Sequence, residues 1–190
     1  MAKKSKDVNR VNIRFSGSGG QGLIRAGIIY AEAAAIFDGK NAVQTQSYGP
    51  EARGGASQSE VVISNNDIDY PKAMGLDLLL CLTQEACDKY YHDLAENGLL
   101  VVDSTHVKSI PTARAYSMPF TEIARKTLNK PMVANVVALG AISALAPYVS
   151  VEAIKSSIKK NVPPGTEEIN LKAFEEGLNA AKKLLENQQA

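Results

Sequence analysis

Hydrophobic and polar positions alternate with a period of two over 11–16, where Val11, Ile13 and Phe15 are separated by polar neighbours, and this predicts a β-strand. Past a glycine-dense turn the period lengthens. Leu23, Ala26, Gly27, Ile29, Tyr30, Ala33 and Ala34 recur at helical spacing up to about Phe37, and Asp38-Gly39 supplies a stop. Strand signals return over 41–47 and over 58–64, the latter with Val61 and Ile63 set against Glu60, Val62 and Ser64. About ten residues separate these two runs, too few for a helical crossover, so they are expected to pair antiparallel. The unbroken apolar run 76–82 suits a strand buried on both faces. A helix is expected over 84–96, a turn at Asn97-Gly98, a strand over 99–102 ending at Asp103, and a further strand over 113–118. The remainder reads as helices over 121–128, 132–147, 151–160 and 167–187. Ser150 and Thr166 stand where N-caps are wanted, and Glu167 and Glu168 suit the positive end of the last helix dipole. Phe174, Gly177, Leu178, Ala181 and Leu185 give that helix one apolar face.

Strands alternating with helices predict an α/β fold: a Rossmann-like, mostly parallel (mixed) sheet flanked by helices, with the C-terminal helices packing on it. The 190 residues suffice for one core, so a single domain is expected over 10–188, behind a polar N-terminal tail, 1–9, expected to be disordered. A net charge of +1 argues against a nucleic-acid partner, while leaving room for a local basic pocket that takes a small phosphate ligand. No segment reaches the roughly 20 apolar residues of a membrane span. The basic start at Lys3, Lys4 and Lys6 leads into no apolar stretch of signal length, and with reduced cysteines this places the expected location in the cytoplasm. Cys81 and Cys87 have neither a metal-ligand spacing nor a disulfide framework and read as plain thiols, one in the apolar strand and one on the following helix. Two thiols cannot hold an iron–sulfur cluster, which needs four thiolates in close array.

Gly17-Ser18-Gly19-Gly20-Gln21-Gly22 lies between a predicted strand and a predicted helix. Such a loop exposes backbone N–H groups at the positive helix end and receives phosphate without any cationic side chain. Gly17, Gly19 and Gly22 also match the dinucleotide pattern G-x-G-x-x-G, which alone is a weak signal. A nicotinamide site further wants an acid at the end of the second strand, and that strand ends Gln44-Thr45-Gln46-Ser47; Asp38 sits in the turn before it. A free-standing Rossmann-like dinucleotide-binding protein therefore stays as one alternative, and glycines serving only tight strand–helix packing as another.

Ser47-Tyr48-Gly49-Pro50-Glu51-Ala52-Arg53-Gly54-Gly55 sets a rigid proline and three flexible glycines around one acid and one base. Arg53 could form a bidentate contact to phosphate or carboxylate, Glu51 could orient it, and Tyr48 could offer a flat contact. A surface turn holding a local ion pair is the plainer reading of the same residues. Together with the first loop, however, this stretch resembles the gamma domain of the pyruvate and 2-oxoacid:ferredoxin oxidoreductases. The resemblance runs on through Ser57-Gln58-Ser59-Glu60-Val61, Asp77, Gly98 to Asp103, and Asn135-Val136-Val137-Ala138-Leu139-Gly140, covering roughly residues 11–180.

The resemblance implies a gamma subunit of an enzyme that oxidatively decarboxylates a 2-oxoacid, 2-oxoglutarate in the nearest likeness, forming an acyl-CoA and CO2 and reducing ferredoxin. It implies coenzyme A as the co-substrate this chain contacts. Thiamine diphosphate, magnesium and the iron–sulfur clusters would sit on partners: alpha and beta subunits, with or without a ferredoxin-like delta subunit. The small subunit of indolepyruvate ferredoxin oxidoreductase is the neighbouring alternative. No residue of this chain is expected to be catalytic or to bind metal; His92 and His106 read as solvated or capping residues. The expected binding residues are Gly17, Gly19, Gly20, Gln21 and Gly22 with Ser47, Tyr48, Gly49, Glu51, Arg53 and Gly54, the two loops forming one wall at strand carboxyl ends. Contact between the second loop and a partner subunit is the competing reading of those last six residues.

Overall fold

A computed structural model of the chain describes residues 9–47 and 56–189. The strands are β1 (Val11–Ser18), β2 (Asn41–Ser47), β3 (Ala56–Ser64), β4 (Leu76–Cys81), β5 (Leu94–Asp103) and β6 (Ala115–Met118). They form one sheet in the order β2-β3-β1-β4-β5-β6. β3 runs antiparallel to both β1 and β2, and the β1–β4, β4–β5 and β5–β6 pairs are parallel. β3 is thus the one reversed strand among those described, as the short link before it requires. The expected tail, apart from Asn9, and the 48–55 segment lie outside the described residues.

The helices are α1 (Leu23–Glu32), extended by a π-helical turn at Ala33–Phe37, then α2 (Gln84–Tyr90), α3 (Phe120–Leu128), α4 (Ala134–Leu145), α5 (Val151–Asn161) and α6 (Glu167–Gln189). No described helix is long and apolar enough to cross a membrane. β4 carries the expected two-sided burial: Leu78 and Leu80 join one apolar cluster, Leu79 and Cys81 the other. The first cluster takes in α1 and α3 to α6, so five helices cover one sheet face. The other face carries the short α2, through Ala86, Cys87 and Tyr90. There Arg14 pairs with Glu60 across the β1–β3 ladder at 2.6 Å and with Asp93, both Arg14 and Glu60 being buried. Burial alone would lower the Arg14 pKa, but its hydrogen bonds to Asp93 and Glu60 outweigh that and hold it above the usual value.

Three expected elements need correcting. The helix expected over 84–96 ends at Tyr90, and after a 3-10 turn at Tyr91–Asp93 the chain is already in β5 at Leu94. Asn97-Gly98 is not a turn but part of a bulge within that strand: Leu76 pairs with Leu94, yet Leu78 pairs with Leu99. A Cβ on Gly98 would run into the Leu76 carbonyl oxygen, so the close approach of β4 selects glycine there. Likewise the helix expected from residue 132 opens as a 3-10 turn, Pro131–Val133, and becomes α-helical at Ala134.

α4 and α6 cross on two facing glycines. A Cβ on Gly140 would strike the Phe174 carbonyl oxygen, and one on Gly177 would strike that of Val137. Phe174, Leu178 and Ala181 are buried beside this crossing, on the apolar face read from the sequence. Ser150 caps α5 by accepting the Ala153 N–H at 3.2 Å, and Asp38 in turn accepts from the Ser150 N–H and hydroxyl at 2.7 and 2.6 Å. Thr166 precedes α6, but its hydroxyl donates to the Pro163 carbonyl at 2.7 Å.

Candidate functional site

The turn after β1 is shaped by its own side chain. Gln21 Oε1 accepts the Ser18 N–H at 2.7 Å, and the Gln21 N–H returns to the Ser18 carbonyl at 3.3 Å. Gly20 and Gly22 have φ of 88° and 73°, a left-handed backbone that disfavours other residues. Gly22 then serves as N-cap of α1, which has no side-chain cap and no acid in its first turn. The orphan N–H groups of that turn are left for solvent or a ligand.

The turn faces a cleft of about 690 Å³. One wall is Ser18, Gly19, Gly20 and the first turns of α1, with Arg25 and Ile28. The opposite wall comes from residues far along the chain: Lys130, Met132 and Asn135 at the start of α4, and Thr166, Ile169 and Asn170 at the start of α6. The N-terminal turns of three helices therefore converge on one space, each with its positive dipole end. Among the described residues the lining includes two cations, Arg25 and Lys130, and no carboxylate. Ile24, Ile28, Met132, Val136 and Ile169 supply an apolar shelf. Such a cleft can hold a ligand that is anionic at one end and largely apolar along its length.

Of the residues expected to bind, Gly19, Gly20 and Gly22 line this cleft. Gly17 and Gln21 do not: a Cβ on Gly17 would meet Gln21 Oε1, so these two build the turn from inside. Ser47 ends β2, exposed, and does not line the cleft. Tyr48, Gly49, Glu51, Arg53 and Gly54 fall outside the described residues. The anchors of their segment are placed, however. Ala56 pairs with Ser18, and Ser47 pairs with Gln58, so both ends of the segment emerge at the same end of the sheet as the glycine turn.

Sequence reading missed Arg25, Lys130, Asn135 and Asn170 as site residues. Arg25 was within sight, in the first turn of the helix that the glycine turn opens. Lys130 and Asn170 carry no local signal and join the site only through packing of α4 and α6. Asp38, weighed against a ribose-binding role, spends its carboxylate on Ser150. Cys81 and Cys87 are both buried and free. A hydrogen bond with Cys87 and burial push the Cys81 thiol up, the opposite of an activated thiolate. His92 stacks on Tyr91 and both histidines are exposed. Among the described residues no group of three or more His, Cys, Asp or Glu side chains could hold a metal ion.

The family model for pyruvate ferredoxin/flavodoxin oxidoreductase matches residues 12–180. The 2-oxoglutarate synthase subunit KorC of Methanocaldococcus jannaschii is 52% identical over 179 residues, which is 92% of this chain and 96% of that one. The crystal structure of a keto/oxoacid ferredoxin oxidoreductase gamma subunit from Geobacter sulfurreducens aligns with a TM-score of 0.85 at 50% identity, covering 92% of this chain and 98% of its own. A 2-oxoglutarate:ferredoxin oxidoreductase from Magnetococcus marinus, solved with 2-oxoglutarate, coenzyme A and succinyl-CoA bound, shares the fold at TM-score 0.79 and 24% identity. That match covers 92% of this chain and 31% of the longer one.

Proposed function

Because the chain belongs to the pyruvate ferredoxin/flavodoxin oxidoreductase family, we propose that it serves as the gamma subunit of a 2-oxoglutarate:ferredoxin oxidoreductase and holds coenzyme A in the cleft at the glycine turn. Similarity along almost the full length to a 2-oxoglutarate synthase subunit supports the choice of 2-oxoacid. Partner alpha and beta subunits carry thiamine diphosphate and the iron–sulfur clusters, and ferredoxin takes the electrons.

The observation that carries the ligand assignment is the lining itself: three helix N-termini, Arg25 and Lys130, and no acid among the described residues. Coenzyme A combines several phosphate charges with a long, mostly neutral arm. The amides of Gly19, Gly20 and the first turn of α1 suit the phosphates, with Arg25 and Lys130 adding charge. The shelf of Ile24, Ile28, Met132, Val136 and Ile169 suits the arm. Arg53 belongs to the segment whose two ends emerge beside the turn, and its charge suits the same phosphates. The chain's contribution is to position the thiol for a partner's active site, and no proton transfer is asked of it.

The test is kinetic, on the enzyme assembled with its partner subunits. Arg25→Ala, Lys130→Ala and Arg53→Ala should each raise KM for coenzyme A about tenfold, the worth of one charged hydrogen bond, while KM for the 2-oxoacid stays put. Normal assembly with an unchanged KM for coenzyme A in all three would refute the assignment. Loss of assembly confined to Arg53→Ala would move the second loop to a subunit contact.

A further inference from the structure

Asn135 stands in the first turn of α4, 4% exposed, and its Nδ2 donates to the Gly22 carbonyl oxygen at 3.0 Å. The same oxygen accepts the Ala26 N–H at 3.0 Å, so both of its lone pairs are engaged. Gly22 is the hinge of the site: the last residue of the turn, the N-cap of α1, and left-handed. The space beside it is already filled, since a Cβ there would lie 2.5 Å from Asn135 Nδ2. The turn thus ends between its own helix and a side chain 113 positions further on. That side chain is itself fixed, because α4 is locked against α6 at Gly140 and Gly177.

We propose that Asn135 is a positioning residue that latches the glycine turn to α4, holding the open backbone of Gly19 and Gly20 and the free amides of α1 aimed into the cleft before a ligand arrives. The proposal rests on the reading of this cleft as the coenzyme A site. A turn rich in glycine has much freedom to lose on binding, and a latch that removes this freedom in advance strengthens binding without touching the ligand. The latch must be a neutral donor. A carboxylate in its place would set oxygen against the Gly22 carbonyl and bring negative charge into a lining that has none among the described residues.

Asn135→Asp and Asn135→Ala, each in the assembled enzyme, separate the latch from the ligand assignment. Backbone hydrogen exchange is read at Gln21 and Ala26, whose N–H groups close the turn and the first turn of α1. Amides of β1 and β3, which pair along their length, report that the fold is intact. The latch predicts faster exchange at Gln21 and Ala26 with the strands still protected, and a KM for coenzyme A raised about tenfold with KM for the 2-oxoacid unchanged. Faster exchange with an unchanged KM for coenzyme A would keep the latch and refute the ligand assignment. Unchanged exchange at Gln21 and Ala26 in both variants overturns the latch, whatever the KM. Asn135→Ala retains a small neutral side chain and carries the same readout if the aspartate variant does not assemble.

Discussion

The α4–α6 crossing and the turn after β1 both depend on glycine, for opposite reasons. At the crossing, Gly140 and Gly177 leave no room: a methyl group on either would collide with backbone of the other helix. At the turn, Gly19 and Gly20 have nothing within 4 Å of where a Cβ would stand. Packing explains the first pair completely and the second pair not at all. Open glycines beside an uncapped helix end, and a lining without acids among the described residues, are what a site for an anionic ligand needs. Within the turn itself the division repeats, since Gly17 and Gly22 make room for Gln21 and Asn135 while a Cβ on Gly19 or Gly20 would meet nothing.

The comparison breaks first at the seam. Gly140→Ala or Gly177→Ala should destabilise the full chain by about 3 kcal/mol, the upper end for overpacking, because the obstacle is backbone and not a movable side chain. Urea unfolding measures it, and a loss under about 0.5 kcal/mol would mean that the helices can separate cheaply.

A smaller effect is expected where the far end of α1 is tied to α5. Glu32 accepts hydrogen bonds from Lys160, Asn161 and Ser157. Burial pushes its carboxyl up, but these donors outweigh burial and hold it below the usual carboxylate range. A lowered folded-state pKa means that the stabilisation is present above the unfolded pKa and is lost as pH falls through the folded one. Glu32→Gln should therefore cost about 1 kcal/mol at neutral pH, with the gap to the parent chain closing in acid. A gap that is constant with pH would show that the charge of Glu32 contributes nothing.

The smallest effect on stability belongs to Gly19, whose φ is not positive and whose surroundings are open. Gly19→Ala should change unfolding by less than about 0.5 kcal/mol, while its methyl group, added to the lining of the cleft, raises KM for coenzyme A in the assembled enzyme. A stable variant with unaltered KM would remove Gly19 from the site.

Much of this architecture could be read from local patterns. The period-two run of β1, the two-sided apolar run of β4 and the amphipathic face of α6 each answer to neighbours in sequence, and they stand where expected. β5 does not, because residues 94–98 look helical and turn-like until β4 lies beside them and the bulge becomes visible. The site divides the same way. The glycine turn is visible as a string of letters, but the roles of its members are not: nothing local separates Gly22, packed on Asn135, from Gly20, open to the cleft. The facing wall, with Lys130, Asn135 and Asn170, is assembled by helix packing alone. Family resemblance named the first loop and the Asn135–Gly140 stretch together, and the hydrogen bond from Asn135 to Gly22 supplies a physical reason for their pairing.

The most direct measurement is a structure of the assembled enzyme with coenzyme A bound. The account predicts phosphate oxygens within hydrogen-bonding distance of the Gly19, Gly20 and α1 amides, Arg25 or Lys130 on the same phosphates, and the arm along Ile28 and Met132. Coenzyme A seated elsewhere, with this cleft filled by a partner's side chains, would contradict it.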